Sequence, residues 1–259
     1  MFTRLSRYAL GVAMSAASSG IFASVVFTDS TFNLAGYSPT PTFMTPAVTL
    51  THGQCLSCGN PGTALQIVLN SMTATGGLAD VGFVNNAFTY DPGTQGAISS
   101  IGAFVDKNLL ITVGNTNGFG TGIPFGNNFR PLISQGGLYY LAAIAGPMIP
   151  GPTVSGPFSA STGYVTISQP ALLAADFTQY DFATNAFGIA HPNFAGGVLS
   201  FGIGQISSAG TGFTNNTITA QYDNLRINVN ATSVPEPGTL ALFGFGLVGV
   251  FAMRRRRTA

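Results

Sequence analysis

The sequence has 259 residues, of which 46% are hydrophobic and 7% charged, and its formal net charge is +1. Disordered chains are typically more charged and poorer in aromatic residues, so 21 phenylalanines and few charges indicate a folded chain. Six of the nine basic residues lie near the two ends, which leaves residues 24–233 with a net charge of about −4 and no basic face for nucleic acid.

The first 23 residues predict a secretory signal peptide. Arg4 and Arg7 provide a positive start, residues 8–22 are mildly apolar, and Ile21-Phe22-Ala23 offers suitable residues before a cleavage site. An uncleaved membrane anchor is the alternative, which the serines within the apolar run disfavour. We therefore expect export, with a mature chain that begins at Ser24.

Residues 24–233 predict one all-β domain. The alternation of apolar and polar residues with a period of two is clearest in 199–204, 217–222 and 225–229, which we interpret as strands. Only Pro170 to Phe177 suggests a short helix, because it starts at a proline. Glycine and proline predict loops at 115–128 and 145–157. Further candidate strands are 24–28, 63–70, 88–90, 101–105, 109–113, 137–144 and 164–168. About ten strands with almost no helix predict an antiparallel two-sheet sandwich of jelly-roll type.

Cys55 and Cys58 are the only cysteines, and in an exported chain they predict a disulfide. A redox site would need the pair to open a helix, whereas Gly59-Asn60-Pro61-Gly62 follows. Zinc would need two further ligands, for which His52 and His191 are the sole imidazoles. A structural clip is the favoured interpretation.

Several short segments of the body are similar to landmarks of bacterial extracellular jelly-roll modules related to laminin-type and carbohydrate-binding sandwiches. They include Gly59-Asn60-Pro61-Gly62, His191-Pro192-Asn193-Phe194 and the closing Tyr222-Asp223-Asn224-Leu225-Arg226-Ile227. In such modules the aspartate before the final strand often binds a structural calcium with residues near the first strand. The resemblance implies Asp29 and Asp223 as calcium ligands. The alternative is that Asp223 only forms an Asx-turn before Leu225.

Catalysis has little support in residues 24–233, so we expect no enzyme and no cofactor other than calcium. Glycoside hydrolases usually pair two carboxylates, but this region has no glutamate, and only Asp176 and Asp181 suggest a pair. A carbohydrate-binding module is the stronger alternative. Without tryptophan, sugar stacking would use tyrosines, with Tyr139, Tyr140, Tyr164 and Tyr180 as candidates.

The last 26 residues contain three elements in order. Val234-Pro235-Glu236-Pro237-Gly238 is a proline-bracketed motif, 239–253 is an apolar segment predicted to be helical, and Arg254, Arg255, Arg256 and Arg257 form a basic tail. A helix of that length spans about 22 Å, which is short against roughly 30 Å of hydrocarbon. The arginines would hold it with its carboxyl end in the cytoplasm.

This tail resembles the PEP-CTERM sorting signal of Gram-negative bacteria. The resemblance implies a chain exported to the inner membrane, held there by the apolar helix, and processed at Val234, Pro235, Glu236 and Pro237 by an exosortase, a membrane-embedded cysteine transpeptidase. An ordinary C-terminal anchor is the alternative. We therefore expect a cell-surface or extracellular protein with a structural or adhesive role, in which exopolysaccharide and biofilm are the implied context.

Overall fold

The computed structural model describes residues 24–72, 75–115, 125–142, 158–211 and 214–232. The segments predicted as signal peptide, 1–23, and as sorting signal, 234–259, lie outside these residues, as does most of the loop predicted at 145–157.

The described residues form fourteen strands, one short α-helix and two 3-10 turns. The α-helix is α1 (Pro92–Gln95), and the 3-10 turns are Leu34–Gly36 and Ala174–Asp176. The strands are β1 (Ser24–Asp29), β2 (Tyr37–Pro39), β3 (Phe43–Met44), β4 (Val48–Gly59), β5 (Gly62–Ser71), β6 (Gly77–Tyr90), β7 (Ile98–Asn115), β8 (Phe125–Gln135), β9 (Leu138–Ala142), β10 (Phe158–Leu172), β11 (Phe177–Asp181), β12 (Ala186–Phe187), β13 (Leu199–Ala209) and β14 (Thr214–Ala231).

The strands pair into two antiparallel sheets. Sheet A has the order β10-β7-β14-β5-β4, with β1 paired to the second half of β14. Sheet B has the order β12-β11-β9-β8-β13-β6-β2, with β3 also paired to β6. The predicted all-β, antiparallel two-sheet sandwich of jelly-roll type is confirmed, because neighbours in each sheet are mostly distant in sequence and the two sheets share one core.

The core lies between the sheets and is built from alternate residues of the long strands. On β7, Ile101, Ala103 and Val105 are at most 1% exposed. Aromatic rings join the two sheets: Phe27 of β1 stacks on Phe88 of β6 with ring centroids 5.2 Å apart. Because side chains alternate across a strand, the intervening residues of sheet A face outward and are free to form a site.

The two predicted strands at 217–222 and 225–229 are one long strand, β14, interrupted by a bulge. Its pairing with β7 shifts between Asp223 and Arg226, and Asn224 there adopts a φ of 51°. In the sequence, every second residue is apolar up to Tyr222, and the next apolar residue of the pattern is Leu225, three positions further on. The extra residue keeps both apolar sets on the core side, since a one-residue slip would otherwise turn the second set outward.

The other strand predictions are confirmed, most of them with longer strands than expected, whereas the strand predicted at 137–144 is the shorter β9 (Leu138–Ala142). Segments 101–105 and 109–113 join into β7, and 88–90 is only the end of β6. The loop prediction at 115–128 is wrong at its end, because β8 already begins at Phe125. The strand β4 was missed, since its glycine, cysteines and serine give no clean alternation.

The predicted helix at 170–177 is wrong. Pro170 lies inside β10, and only Ala174–Asp176 forms a 3-10 turn before β11 begins at Phe177. Because β10 is the edge of sheet A and its register shifts between Gln169 and Leu172, no ladder hydrogen bond needs the N–H that proline lacks. In the described part of the chain, no helix has the length and apolar character to cross a membrane.

Candidate functional site

A row of side chains crosses the outer face of sheet A just beyond the bulge. Arg226 of β14 lies between Thr28 of β1 and Phe104 of β7. The Arg226 guanidinium carbon lies 4.0 Å from the centroid of the Phe104 ring. A cation over an aromatic face at this distance is a favourable cation–π geometry, and the N–H donors of the guanidinium can still bind a ligand.

A second row of side chains crosses the same face on the other side of the bulge. Asp106 of β7 lies between Thr166 of β10 and Asp223 of β14. Residues 104 and 106 are both on the face opposite the buried Val105. Two residues along a strand are about 6.6 Å apart, so the rows of Arg226 and Asp106 are separated by roughly this distance.

A cleft of about 300 Å³ opens between the two rows. Its base includes the buried Val105 and Leu225, and its rim includes residues 28–30 at the end of β1. The polar residues that line it are Asp29, Asp106, Thr28, Ser30, Thr166, Asn224 and Arg226. Cavities of this size are at the lower end of the range for small-molecule sites.

The Asp106 carboxylate is held in place by neutral donors. Its Oδ1 accepts a hydrogen bond from the Thr166 hydroxyl at 2.6 Å, and its Oδ2 accepts from Nδ2 of Asn224 at 2.9 Å and from Nδ2 of Asn60 at 3.3 Å. Asp223, directly opposite and 0% exposed, accepts from the main-chain N–H groups of Asn224 and Asn60. Like charges opposite each other in a ladder repel, and these amide donors offset the repulsion.

The structure places Asp29 and Asp223, the two residues implied as calcium ligands, differently. Asp29 lines the cleft, whereas Asp223 lies under the β4–β5 hairpin and bonds to main-chain N–H groups of Asn60 and Asn224, so the hydrogen bond to Leu225 of a simple Asx-turn is not the one observed. In the described ranges, no three His, Cys, Asp or Glu residues group closely enough to hold a metal ion. A calcium ion at these two residues stays a prediction, and it would require main-chain or amide oxygens as additional ligands.

Asp29 ends β1 and organises the turn that follows. Its Oδ1 accepts from the main-chain N–H groups of Thr31 and Phe32 at 2.8 and 2.9 Å, and its Oδ2 accepts from the Tyr37 hydroxyl at 2.8 Å. Burial alone would raise the pKa of Asp29, but the hydrogen bonds outweigh burial and lower it. The Asp29 carboxylate is therefore charged at neutral pH, and its hydrogen bonds hold it to the turn and to Tyr37.

The β4–β5 hairpin carries Cys55 and Cys58, which are joined by a disulfide with an S–S distance of 2.00 Å. The disulfide lies where the pairing of β4 with β5 shifts, between Cys55 and Gly59. Beyond it, the Cys58 carbonyl accepts a hydrogen bond from the Tyr164 hydroxyl of β10. The hairpin tip thus crosses the outer face of sheet A and brings Asn60 onto Asp106 and Asp223.

A polar network lies inside the core, between the two sheets. Lys107, the only lysine of the chain, is 0% exposed, and its Nζ donates to the main-chain oxygen of Asn127 at 2.7 Å. The Tyr222 hydroxyl donates to Oε1 of Gln205 at 2.8 Å, and the Ser207 hydroxyl accepts from both Asn127 and Gln205. Burial lowers the pKa of Lys107 to about 7.

The tyrosines proposed for sugar stacking do not form a binding surface. Tyr140 is 5% exposed and Tyr180 is 1% exposed, so both are buried. The Tyr180 hydroxyl donates to the buried Asp80 carboxylate, and its ring packs against Phe182. The Tyr139 ring packs edge-on against Phe182. The loop after β11 therefore covers this outer part of sheet B. The spacing of residues in the sequence could not predict that these rings would be covered.

The other chemistry-bearing residues have structural partners. His52 packs edge-on against Phe83, and Nδ1 of His191 is hydrogen-bonded to the Phe177 carbonyl. The carboxylate of Asp176 accepts from the N–H of Leu173, and Asp181 caps the turn after β11. The structure thus does not bring the two histidines to the cysteines, or Asp176 and Asp181 into the cleft.

The sequence did not predict the main residues of the cleft, Phe104, Asp106 and Arg226. The one available signal was the change of apolar phase between Tyr222 and Leu225, since bulges are frequent next to functional sites. The predicted sorting residues Val234, Pro235, Glu236 and Pro237, and the arginines at 254–257, lie outside the described residues.

Solved structures similar to this chain are distant. A family 11 carbohydrate-binding module from Clostridium thermocellum, in complex with a β-1,3-1,4-mixed-linked tetrasaccharide, shares 9% identity over 82% of this chain and 98% of that chain, with a TM-score of 0.36. A xylan-binding domain from Paenibacillus barcinonensis shares 9% identity over 82% and 98%, with a TM-score of 0.30. A protein of unknown function from Shewanella oneidensis MR-1 shares 13% identity over 90% and 98%, with a TM-score of 0.32. Likenesses this low carry no inference about a ligand.

No curated protein matches the chain in sequence. Residues 233–257 match the family described as the PEP-CTERM protein-sorting motif. The match includes all three parts of the predicted signal: the proline-bracketed motif, the apolar segment and the arginines. The chain therefore carries a PEP-CTERM sorting motif at residues 233–257, which implies an exported, cell-surface protein that an exosortase-type enzyme processes.

Proposed function

We propose that this protein is a structural or adhesive component of the cell envelope or extracellular matrix, in the context of exopolysaccharide and biofilm. The observation that carries the proposal is the sorting motif at 233–257, which follows the last strand of a low-charge two-sheet sandwich almost directly. The sandwich is the delivered part, and the tail is the substrate of the sorting enzyme.

The chemistry of the tail supports a transient inner-membrane intermediate in a Gram-negative cell. Pro235 and Pro237 disfavour helix in the residues before them, so Glu236 is presented in extended chain to the enzyme. The apolar segment 239–253 holds the chain in the membrane, and Arg254 to Arg257 stay on the cytoplasmic side. After processing, the sandwich is released or attached at the surface.

Replacement of Pro235, Glu236 and Pro237 by alanines tests this proposal. We expect the variant to accumulate in the membrane fraction with its tail intact, measured by mass spectrometry of the fractionated protein. A variant with lysines at 254–257 is the matched control, because it keeps the charge and should be processed normally. Unchanged processing of the alanine variant would contradict the proposal.

A second candidate function is carbohydrate binding at the cleft on sheet A. The cleft has carboxylate acceptors, hydroxyls and a fixed guanidinium around an opening of about 300 Å³, which suits hydrogen bonding to sugar hydroxyls. The exported protein, applied to a glycan array, should retain at least one polysaccharide, and Asp106→Asn should weaken retention. If no polysaccharide is retained, the scaffold function stands and the binding function fails. A glycoside hydrolase is the least supported alternative.

A further inference from the structure

We propose that the cleft on sheet A binds the uronic acid residues of an acidic polysaccharide, with Arg226 as the group that recognises the sugar carboxylate. This inference rests on carbohydrate binding, the second candidate function, and names the class of sugar. Its basis is the combination of one cation, Arg226, and one carboxylate, Asp106, around a single opening.

Arg226 provides an anion site that no described residue fills. The guanidinium carbon lies 4.0 Å from the centroid of the Phe104 ring, and among the described residues the guanidinium forms no ion pair with a carboxylate. The arginine side chain is exposed, and its N–H fork matches a carboxylate in a bidentate arrangement. The stacking orients the fork before a ligand binds, which lowers the entropy cost of binding.

The opposite row provides acceptors for hydroxyl groups. Asp106 is held rigid by Thr166 and by Asn224, yet its Oδ1 accepts only one hydrogen bond and retains a free lone pair. Thr28 and Ser30, which carry hydroxyl groups, lie at the rim. A sugar hydroxyl donates to a carboxylate, whereas another anion is repelled by it.

The two rows together select one ligand chemistry. A free phosphate or sulfate would contact Arg226 but face the carboxylate of Asp106. A neutral sugar would satisfy Asp106 but leave the guanidinium without a partner. A uronic acid carries a carboxylate and several hydroxyls on one ring, and the spacing of about 6.6 Å between the rows matches a single ring.

The experiment compares two probes on the exported, processed protein. The first probe is an oligogalacturonate, and the second is the same oligosaccharide after reduction of its carboxyl groups to alcohols. Binding is measured by isothermal titration calorimetry at low ionic strength, with Arg226→Gln, Arg226→Lys, Asp106→Asn and the control Ser168→Ala. Ser168 faces outward opposite Phe104 but does not line the cleft.

We expect the native protein to bind the uronate at least about 10-fold more tightly than the reduced probe, because the charge-assisted bidentate pair is lost with the carboxyl group. Arg226→Gln should remove this preference, and Arg226→Lys should retain only part of it. Asp106→Asn should weaken the binding of both probes. Ser168→Ala should bind as the native protein does, and thermal melting checks that each variant is folded.

The outcomes separate the two proposals. The uronate inference is overturned if the native protein binds both probes equally and Arg226→Gln does not change this. Carbohydrate binding at the cleft would then still stand. Binding that neither Arg226→Gln nor Asp106→Asn affects removes the cleft from both proposals. If neither probe binds and the glycan array also retains nothing, carbohydrate binding itself fails.

Discussion

Lys107 is the residue whose environment differs most from what its chemistry prefers. Its amine is 0% exposed and bonds to the main-chain carbonyl of Asn127, and Tyr222 is the only titratable group of the polar network that surrounds it. Removing a charge from water without a counterion is costly, so the neutral amine is favoured and the pKa falls from 10.5 to about 7. The buried lysine therefore lowers the free energy of unfolding, while its hydrogen bond belongs to a polar network that joins both sheets.

The stability of the protein should therefore depend on pH through Lys107. Between about pH 7 and 10.5 the unfolded chain binds a proton at this lysine that the folded chain does not, so stability rises with pH in this window. Below about pH 7 both states are protonated, and the full cost of the buried charge is present. Each unit of pKa difference corresponds to about 1.4 kcal/mol.

Lys107→Met tests this pH dependence. We expect the variant to lose most of the rise in unfolding free energy between pH 7.5 and 9.5, measured by chemical denaturation, because the only lysine is gone. The measurement stops at pH 9.5 because tyrosines ionise in the unfolded chain above this pH. Burial raises the pKa values of Tyr37 and Tyr180 in the folded protein, so their ionisation would add a second pH dependence. Arg226→Met is the control and should keep the native slope, and an unchanged slope in Lys107→Met would contradict the explanation.

At the scale of elements, the β4–β5 hairpin links the disulfide to the cleft. The disulfide closes a loop of four residues, Cys55 to Cys58, and the tip beyond it positions Asn60 over Asp106 and Asp223. A cross-link of this length restricts the unfolded chain and stabilises the fold by about 2 kcal/mol. The same restriction keeps the tip over the outer face of sheet A.

Replacement of both cysteines by serine should lower the unfolding free energy by about 2 kcal/mol, measured in guanidinium chloride. Reduction of the native protein with a phosphine should produce the same loss, since it removes the same cross-link. Asn60→Ala in the oxidised protein is the matched test of the tip, and should cost about 1 kcal/mol through the loss of the hydrogen bond from Nδ2 of Asn60 to Asp106. Equal stability of the native and serine proteins would show that the hairpin needs no cross-link.

At the scale of the whole molecule, the targeting segments and the sandwich have separate physical roles. The proposal implies a mature chain that begins near Ser24 and ends near the motif at 234–238. We expect the intact mass of the exported protein to correspond to both cuts together with a mass 2 Da below that of the dithiol, as expected for one disulfide. A cytosolic protein with both ends uncut and its thiols reduced would contradict the proposed route.

The fold could be predicted in class but not in detail. Alternation in segments such as 199–204 and 225–229 indicated half-buried strands, because a two-residue period reflects a sheet with one covered face. The β4 strand and the edge position of Pro170 could not be predicted, because they depend on which strand lies alongside. Likewise, the burial of Tyr180 could not be predicted, because it depends on packing against Phe182 and on a hydrogen bond to Asp80 of the distant strand β6.

The sequence by itself determined the route of this protein, because the sorting signal is a continuous segment, 233–257, whose order of proline motif, apolar run and arginines is readable without a fold. Only the tertiary structure decided the cleft. Arg226, Asp106 and Thr166 lie on three strands far apart in the chain, and they meet because strand pairing and one bulge set their register. A linear pattern encodes local conformation and targeting, whereas a binding surface is formed by contacts between distant segments.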